Sequence, residues 1–138
     1  MDVEINLIAV GLATVSSFVV AMIWYMPSVL GETWRNLIGM DKKTMDKGPK
    51  PRAWVFTVIA AFLQAYVLAY VTYLAFTVLG NSWMESALLS AFWMWTGFQL
   101  SLLLTHDSFE QRRLKLTAIN AGNQLITLGV MGLIIGLF

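Results

Sequence analysis

The sequence predicts an all-α polytopic membrane protein: a bundle of four transmembrane helices, with a short interfacial amphipathic helix after the first span. Three observations predict it. Hydrophobic residues are 58% of the 138 and charged residues 12%, against roughly 45–50% and ~25% in soluble domains. The charges cluster and leave four long charge-free stretches. All nine Lys and Arg fall in two of the connections between those stretches. One transmembrane domain over 1–138 accounts for the length.

The first stretch lies between Glu4 and Glu32, 27 residues without a formal charge. The second runs from Arg52 to Glu85 and encloses 32, the third from Ser86 to Thr105 is 20, and the fourth from Leu116 to Phe138 is 23. A span needs ~20 mostly apolar residues at about 1.5 Å each. Gly80-Asn81-Ser82 supplies the turn that the overlong second stretch needs. The spans are therefore expected at about 5–27, 53–79, 84–105 and 115–137. A signal peptide is the alternative for the first. It fits poorly, because Asp2 and Glu4 stand where Lys or Arg belongs and the apolar run is too long.

Loops 28–52 and 106–114 and the residue after the second carry every basic side chain: Arg35, Lys42, Lys43, Lys47, Lys50 and Arg52 in the first, Arg112 and Arg113 in the second, with Lys115 directly following. The positive-inside rule then makes both loops cytoplasmic and puts both termini outside. Asp2, Glu4 and Glu85 fall on the outer side, where acidic residues are permitted. Trp24, Tyr25, Trp34 and Trp54 are expected near the cytoplasmic boundary and Trp83 near the outer one, as an aromatic belt. Trp93 and Trp95 point to different faces of the third span, so at least one is expected to pack on another helix.

Pro27 ends the first helix. Trp34, Leu37, Ile38 and Asp41 then recur at helical spacing, with Glu32, Arg35 and Asn36 opposite, as in a helix lying in the interface. Asp41 is expected to cap a further turn that Gly48 stops, and Pro51 to begin the second span. Lys42, Lys43, Lys47 and Lys50 are candidate contacts for anionic lipid. Topology alone also explains them.

Small residues mark helix contacts in lipid. They recur as Ala9, Ala13, Ser17 and Ala21 in the first span, as Ala53, Thr57, Ala61, Ala65 and Ala69 in the second, and as Gly97, Ser101 and Thr105 in the third. In the fourth, Gly122, Gly129, Gly132 and Gly136 form a packing or oligomer face. With limited interior in four spans, some stripes are expected to serve contacts between copies, and a homo-oligomer is the expected state.

Ser16, Ser17, Gln64, Gln99, Asn120, Asn123, Gln124 and Thr127 form an intramembrane polar layer. Counted from the cytoplasmic ends at 1.5 Å per residue, Asn120 lies about 7 Å deep, Gln99 about 9 Å, Asn123 and Gln124 about 12 Å, and Gln64 and Ser17 about 15 Å. All four helices contribute to that band. It reads either as structural glue between helices or as a polar pocket or path. No ionisable group occupies the centre of any span, which argues against proton coupling through a buried carboxylate and against voltage sensing.

With those residues in view, the chain resembles the bacterial integral-membrane domain-of-unknown-function family 1761 over nearly its whole length. The resemblance rests on Trp24-Tyr25-Met26-Pro27, then Gly31, Trp34 and Gly39. It continues with Leu114-Lys115-Leu116, Ile119-Asn120-Ala121-Gly122 and Gly132. The combination in order carries it. It implies a small bacterial protein with about four spans and no established activity. The family pattern has a small residue where Met26 stands and an aromatic where Asn123 stands. Asn123-Gln124 therefore makes the Asn120 region more polar here.

Net charge +1 gives no case for nucleic acid as a partner. No cysteine is present, so there is no disulfide or thiolate site, and a single His, His106, excludes a multi-histidine metal site within one chain. No metal or other cofactor is expected, and no familiar hydrolase or phosphate-loop motif occurs. His106 and Asp107, at the end of the third span, read as a helix end with salt bridges rather than a catalytic pair. The expected protein is thus not an enzyme, and its partner is the lipid bilayer of the bacterial cytoplasmic (inner) membrane. Two functions remain open. One is an oligomeric pocket or path for a small polar or amphipathic solute. The other is a partner-binding or lipid-organising accessory protein acting through its glycine faces and basic loop.

Overall fold

A computed structural model describes residues 3–138; Asp2 lies outside the described residues. The order is α1 (Leu7–Trp24), a π-helical turn (Pro27–Gly31), α2 (Glu32–Ile38), α3 (Lys42–Asp46), α4 (Pro51–Leu79), α5 (Trp83–Met94), a second π-helical turn (Trp95–Leu100), α6 (Ser101–Phe109) and α7 (Leu114–Leu137). α5, the π turn and α6 run on as one rod over Trp83–Phe109. That rod, α1, α4 and α7 are the four helices long and apolar enough to cross a membrane.

The ends follow the local chemistry. Asn6 caps α1, its side chain accepting from Ile8 and Ala9 N–H. Asp41 caps α3 through Thr44 N–H, Gly48 follows its end at φ +68°, and Pro51 opens α4. Gly80 closes α4 at φ +69°, a left-handed conformation open to glycine. Ser82 and Glu85 then close a reciprocal capping box on α5.

Two boundaries differ from the sequence reading. The first helix stops at Trp24 rather than 27, because the chain turns through Pro27–Gly31 as soon as proline removes its donor. The third continues through His106 and Asp107 to Phe109, so these two residues are helical and the connection is only four residues, 110–113. Asp107 is buried there and accepts from Thr117 Oγ1 at 2.6 Å, which ties the end of α6 to the first turn of α7.

α7 packs on α1 and α5, α5 on α4, and α4 on α1, so sequence neighbours are neighbours in space. α7 is the most enclosed: 44% of its apolar window is buried, against 22%, 28% and 17% for the others. Size sorts the two sides of the bundle. Ala9, Ala13, Ala61, Ala65, Ala69, Ala87 and Ala91 are inside, while Leu7, Met22, Phe56, Val78, Trp93 and Phe98 face out. A soluble globule would invert that arrangement. In lipid it is the expected one, because outward Leu and Phe cost nothing and inward Ala lets backbones approach. The dry core joins Val10, Leu68, Leu128, Met131 and Ile135. It occupies the half of the bundle that holds the two chain ends. The half toward the basic connections buries Asp107, Thr117 and Asn123 beside Leu116, Ile119 and Ala121.

The third span's stripe is corrected. Gly97, Ser101 and Thr105 are exposed, and the inward face carries Ser86, Ala87, Ser90 and Ala91. The π turn at Trp95–Leu100 inserts one residue per turn and breaks the register between the two sets.

Candidate functional site

Hydroxyls and amides behave differently inside a helix. A hydroxyl reaches the carbonyl three or four residues back and satisfies itself. Thr14 and Thr72 do so at 2.8 and 2.7 Å on Val10 O and Leu68 O. Ser16 and Ser17 each donate at 2.7 Å, to Ala13 O and Thr14 O. A long amide has more donors and acceptors than its own helix can meet. The chemistry of the bundle therefore concentrates on its amides.

Those of α7 divide. Asn120 is engaged: its Oδ1 accepts from the Tyr25 hydroxyl at 3.0 Å. One turn deeper, Asn123 is 5% exposed, and its Nδ2 is buried without a hydrogen-bond partner. Gln124 Oε1 is buried and unpartnered as well. Both residues line a cavity of about 170 Å³ between α1, α4 and α7. Ser17, Thr57, Gln64 and Thr127 complete its polar wall, with Phe18, Ala21, Ala60 and Ala61 as the apolar remainder. One water needs only ~10–15 Å³ of such space. A buried donor or acceptor left unpaired costs about 1–3 kcal/mol, and two residues that carry such an atom line this cavity.

Five of the eight residues of the expected polar layer meet here: Ser17, Gln64, Asn123, Gln124 and Thr127. Three do not. Asn120 is taken by Tyr25, Ser16 bonds its own helix outside the cavity, and Gln99 is half-buried on the third span without lining it. The band expected to draw on all four helices is thus a three-helix cavity. Its wall contains no residue of the third span, because the π turn carries Gln99 off the inward register.

A clasp lies between the cavity and the basic side. Trp24 Nε1 donates to Ile119 O at 3.0 Å, and the Trp24 ring covers Gly122, where a Cβ would meet its Cζ2 at 2.9 Å. Tyr25 packs on Trp34, ring centroids 5.0 Å apart. Gly31 N–H donates to Met26 O at 2.8 Å, and a Cβ at Gly31 would collide with the Tyr25 carbonyl, so only glycine fits. Trp83 and Trp95 repeat the Trp24 device, donating to Ile135 O and Ala121 O at 2.8 Å each. Trp24 and Trp83, expected near the membrane boundaries as belt residues, also clamp the α7 backbone. Trp93 faces outward at 66% exposure, as the different faces of Trp93 and Trp95 require.

The glycines of α7 separate likewise. Gly122 meets Trp24, Gly132 meets Ala87 O and Ala91 Cβ at 3.1 Å, and Gly136 meets Met84. Gly129 has open space around its Cα. Lys42, Lys43, Lys47 and Lys50 are all exposed on and after α3.

Trp24, Tyr25, Gly31, Trp34, Ile119, Asn120 and Gly122, scattered along the sequence, thus converge on one clasp. The family described as "Protein of unknown function (DUF1761)" matches residues 8–136, nearly the whole chain. The chain belongs to that family. No curated protein and no solved structure matches it. In this DUF1761 chain seven of the residues that carry the resemblance form the clasp at the basic end of the bundle, and Asn123 and Gln124 of the cavity follow it on α7.

Proposed function

We propose that this DUF1761 protein is a non-enzymatic protein of the bacterial cytoplasmic membrane whose cavity takes a small, uncharged polar or amphipathic solute. The observation that carries the reading is that Asn123 and Gln124, whose Nδ2 and Oε1 are buried without a hydrogen-bond partner, both line about 170 Å³ of space. A solute with both an acceptor and a donor, such as an amide, an alcohol or a polyol, satisfies both. All ten lining side chains are uncharged, which favours a neutral solute and binding over bond-making chemistry. In this reading the basic connections face the cytoplasm and both termini lie outside, so the cavity sits toward the cytoplasmic side.

The lining residues come from a single chain, so the reading needs no second copy. A homo-oligomer would use faces left open in the chain, Gly129 and the outward Gly97, Ser101 and Thr105. The accessory-protein alternative leans on the glycine faces, and three of those four glycines are already occupied by contacts within the chain.

The test is solute-dependent unfolding of the protein in nanodiscs, with panels of neutral amides, alcohols and polyols. A bound solute raises stability by RT ln(1 + [L]/Kd). One solute class should stabilise the native chain and leave the Asn123→Leu, Gln124→Leu variant unmoved while that variant still folds. If no class stabilises the native chain, or the variant responds equally, the reading is wrong.

A further inference from the structure

The basic connection holds a second polar recess, apart from the cavity. It is a groove of about 400 Å³ lined by Pro27, Glu32, Arg35, Asn36, Met40 and Lys42. Arg35 is half-buried, and its Nε is buried with no hydrogen-bond partner. The ion pair among the described residues is Arg112 with Glu110; Glu32 shares the groove without bridging Arg35. A guanidinium offers five donors in a planar fork that suits a phosphate. Here one of those donors is sheltered from solvent and lacks its acceptor. Lys42 and Asn36 bring a second cation and an amide to the same recess.

The position of the groove identifies the source of the phosphate. It opens beside the turn by which the chain leaves α1, with Pro27 in its wall and Arg35 next in sequence to the Trp34 ring that packs on Tyr25. Met26 and Val29, exposed by about half, supply apolar surface next to it. A headgroup phosphate with its glycerol and acyl chains meets polar recess and apolar flank together. A free phosphate ion would meet only the first.

We infer that Arg35, with Lys42 and Asn36, binds the phosphate of an anionic phospholipid in the leaflet on the basic side. The site is specific to the groove. Lys43, Lys47 and Lys50 do not line it and add only diffuse attraction. The carboxylate of Glu32 opposes the anion and tempers its affinity. The inference does not depend on any solute in the cavity.

The experiment reconstitutes the full chain in vesicles of equal phosphatidylglycerol and phosphatidylcholine, extracts it gently and measures the co-purifying lipids. The native chain should retain phosphatidylglycerol at least fivefold over phosphatidylcholine. Arg35→Ala and Lys42→Ala should each bring the ratio close to one, Glu32→Gln should raise it, and Lys43→Ala with Lys47→Ala should leave it unchanged. Helicity measured on each variant separates lost binding from lost fold, and Glu32→Gln tests the site without removing a ligand. Equal retention of both lipids overturns the inference. So does a Lys43, Lys47 variant as weak as Arg35→Ala, which would mean diffuse charge. Displacement of the lipid by millimolar inorganic phosphate overturns it too, by assigning the groove to a soluble anion.

Discussion

The Tyr25 hydroxyl donates to Asn120 Oδ1 at 3.0 Å, joining residues 95 positions apart. That bond crosses from the end of α1 to the second turn of α7. It also engages the Asn120 carbonyl oxygen, and Asn120 does not line the cavity. Tyr25→Phe should lower stability by roughly 0.5–1.5 kcal/mol, the net worth of one hydrogen bond. A double-mutant cycle with Asn120→Leu should return a coupling near ~0.6 kcal/mol, typical of polar pairs between membrane helices. Unfolding in mixed micelles measures both. Additive single losses would mean that the two side chains do not interact.

The glycines of α7 make a graded test. At Gly132 a methyl group would meet Ala87 O and Ala91 Cβ at 3.1 Å, a carbonyl and a methyl that cannot rotate out of the way. Gly132→Ala should destabilise by about 1–3 kcal/mol, the usual cost of overpacking. Gly129 meets nothing within 4 Å. Gly129→Ala should be neutral or stabilising by up to ~1 kcal/mol, from helix propensity alone. The same unfolding assay on the two variants reads the contrast.

Tryptophan substitutions separate clamp from surface. Trp95 Nε1 donates to Ala121 O at 2.8 Å, whereas Trp93 is 66% exposed. Trp95→Phe should cost about 1 kcal/mol or more, since it loses the bond and part of the ring. Trp93→Phe should change stability by less than about 0.5 kcal/mol. Thermal unfolding followed by circular dichroism decides between them.

Asp107 gives a fourth test. Its carboxylate is buried and accepts from Thr117 Oγ1 at 2.6 Å. Thr117→Val keeps the shape and removes the donor, leaving a carboxylate with one partner fewer. The loss should be about 1.5–3 kcal/mol, as for hydrogen bonds to charged groups. Asp107→Asn in the Thr117→Val background should recover part of it, because a neutral amide is cheaper to leave unpaired.

The sequence makes the spans and their ends legible through features that have one physical meaning. A charge-free run of ~20 residues has few alternatives to crossing a bilayer. Asp41, Gly48 and Pro51 each occupy a position that suits their backbone chemistry. The inward faces were less legible. In lipid both faces of a helix are apolar, so hydropathy carries no face signal and only residue size remains. Size pointed correctly to Ala9 and Ala13 in α1 and to Ala65 and Ala69 in α4. It misplaced the third span, where the π turn at Trp95–Leu100 shifts the frame between Ala91 and Ser101. The tryptophans were ambiguous for another reason. An indole near a helix end serves a headgroup belt or a backbone carbonyl equally well, and only the partner's position separates the two. The cavity was half legible: the amides announced a polar layer, but their division between Tyr25 and open space depends on tertiary contacts.

The central claim is that the Asn123–Gln124 cavity holds a solute. Native mass spectrometry of the protein released from nanodiscs tests it most directly, because it weighs the chain together with whatever it retains. The account predicts a reproducible non-lipid adduct, one per chain, absent from the Asn123→Leu, Gln124→Leu variant. A native chain that carries only lipid, with a mass profile matching that variant, would contradict the account and leave the cavity to water.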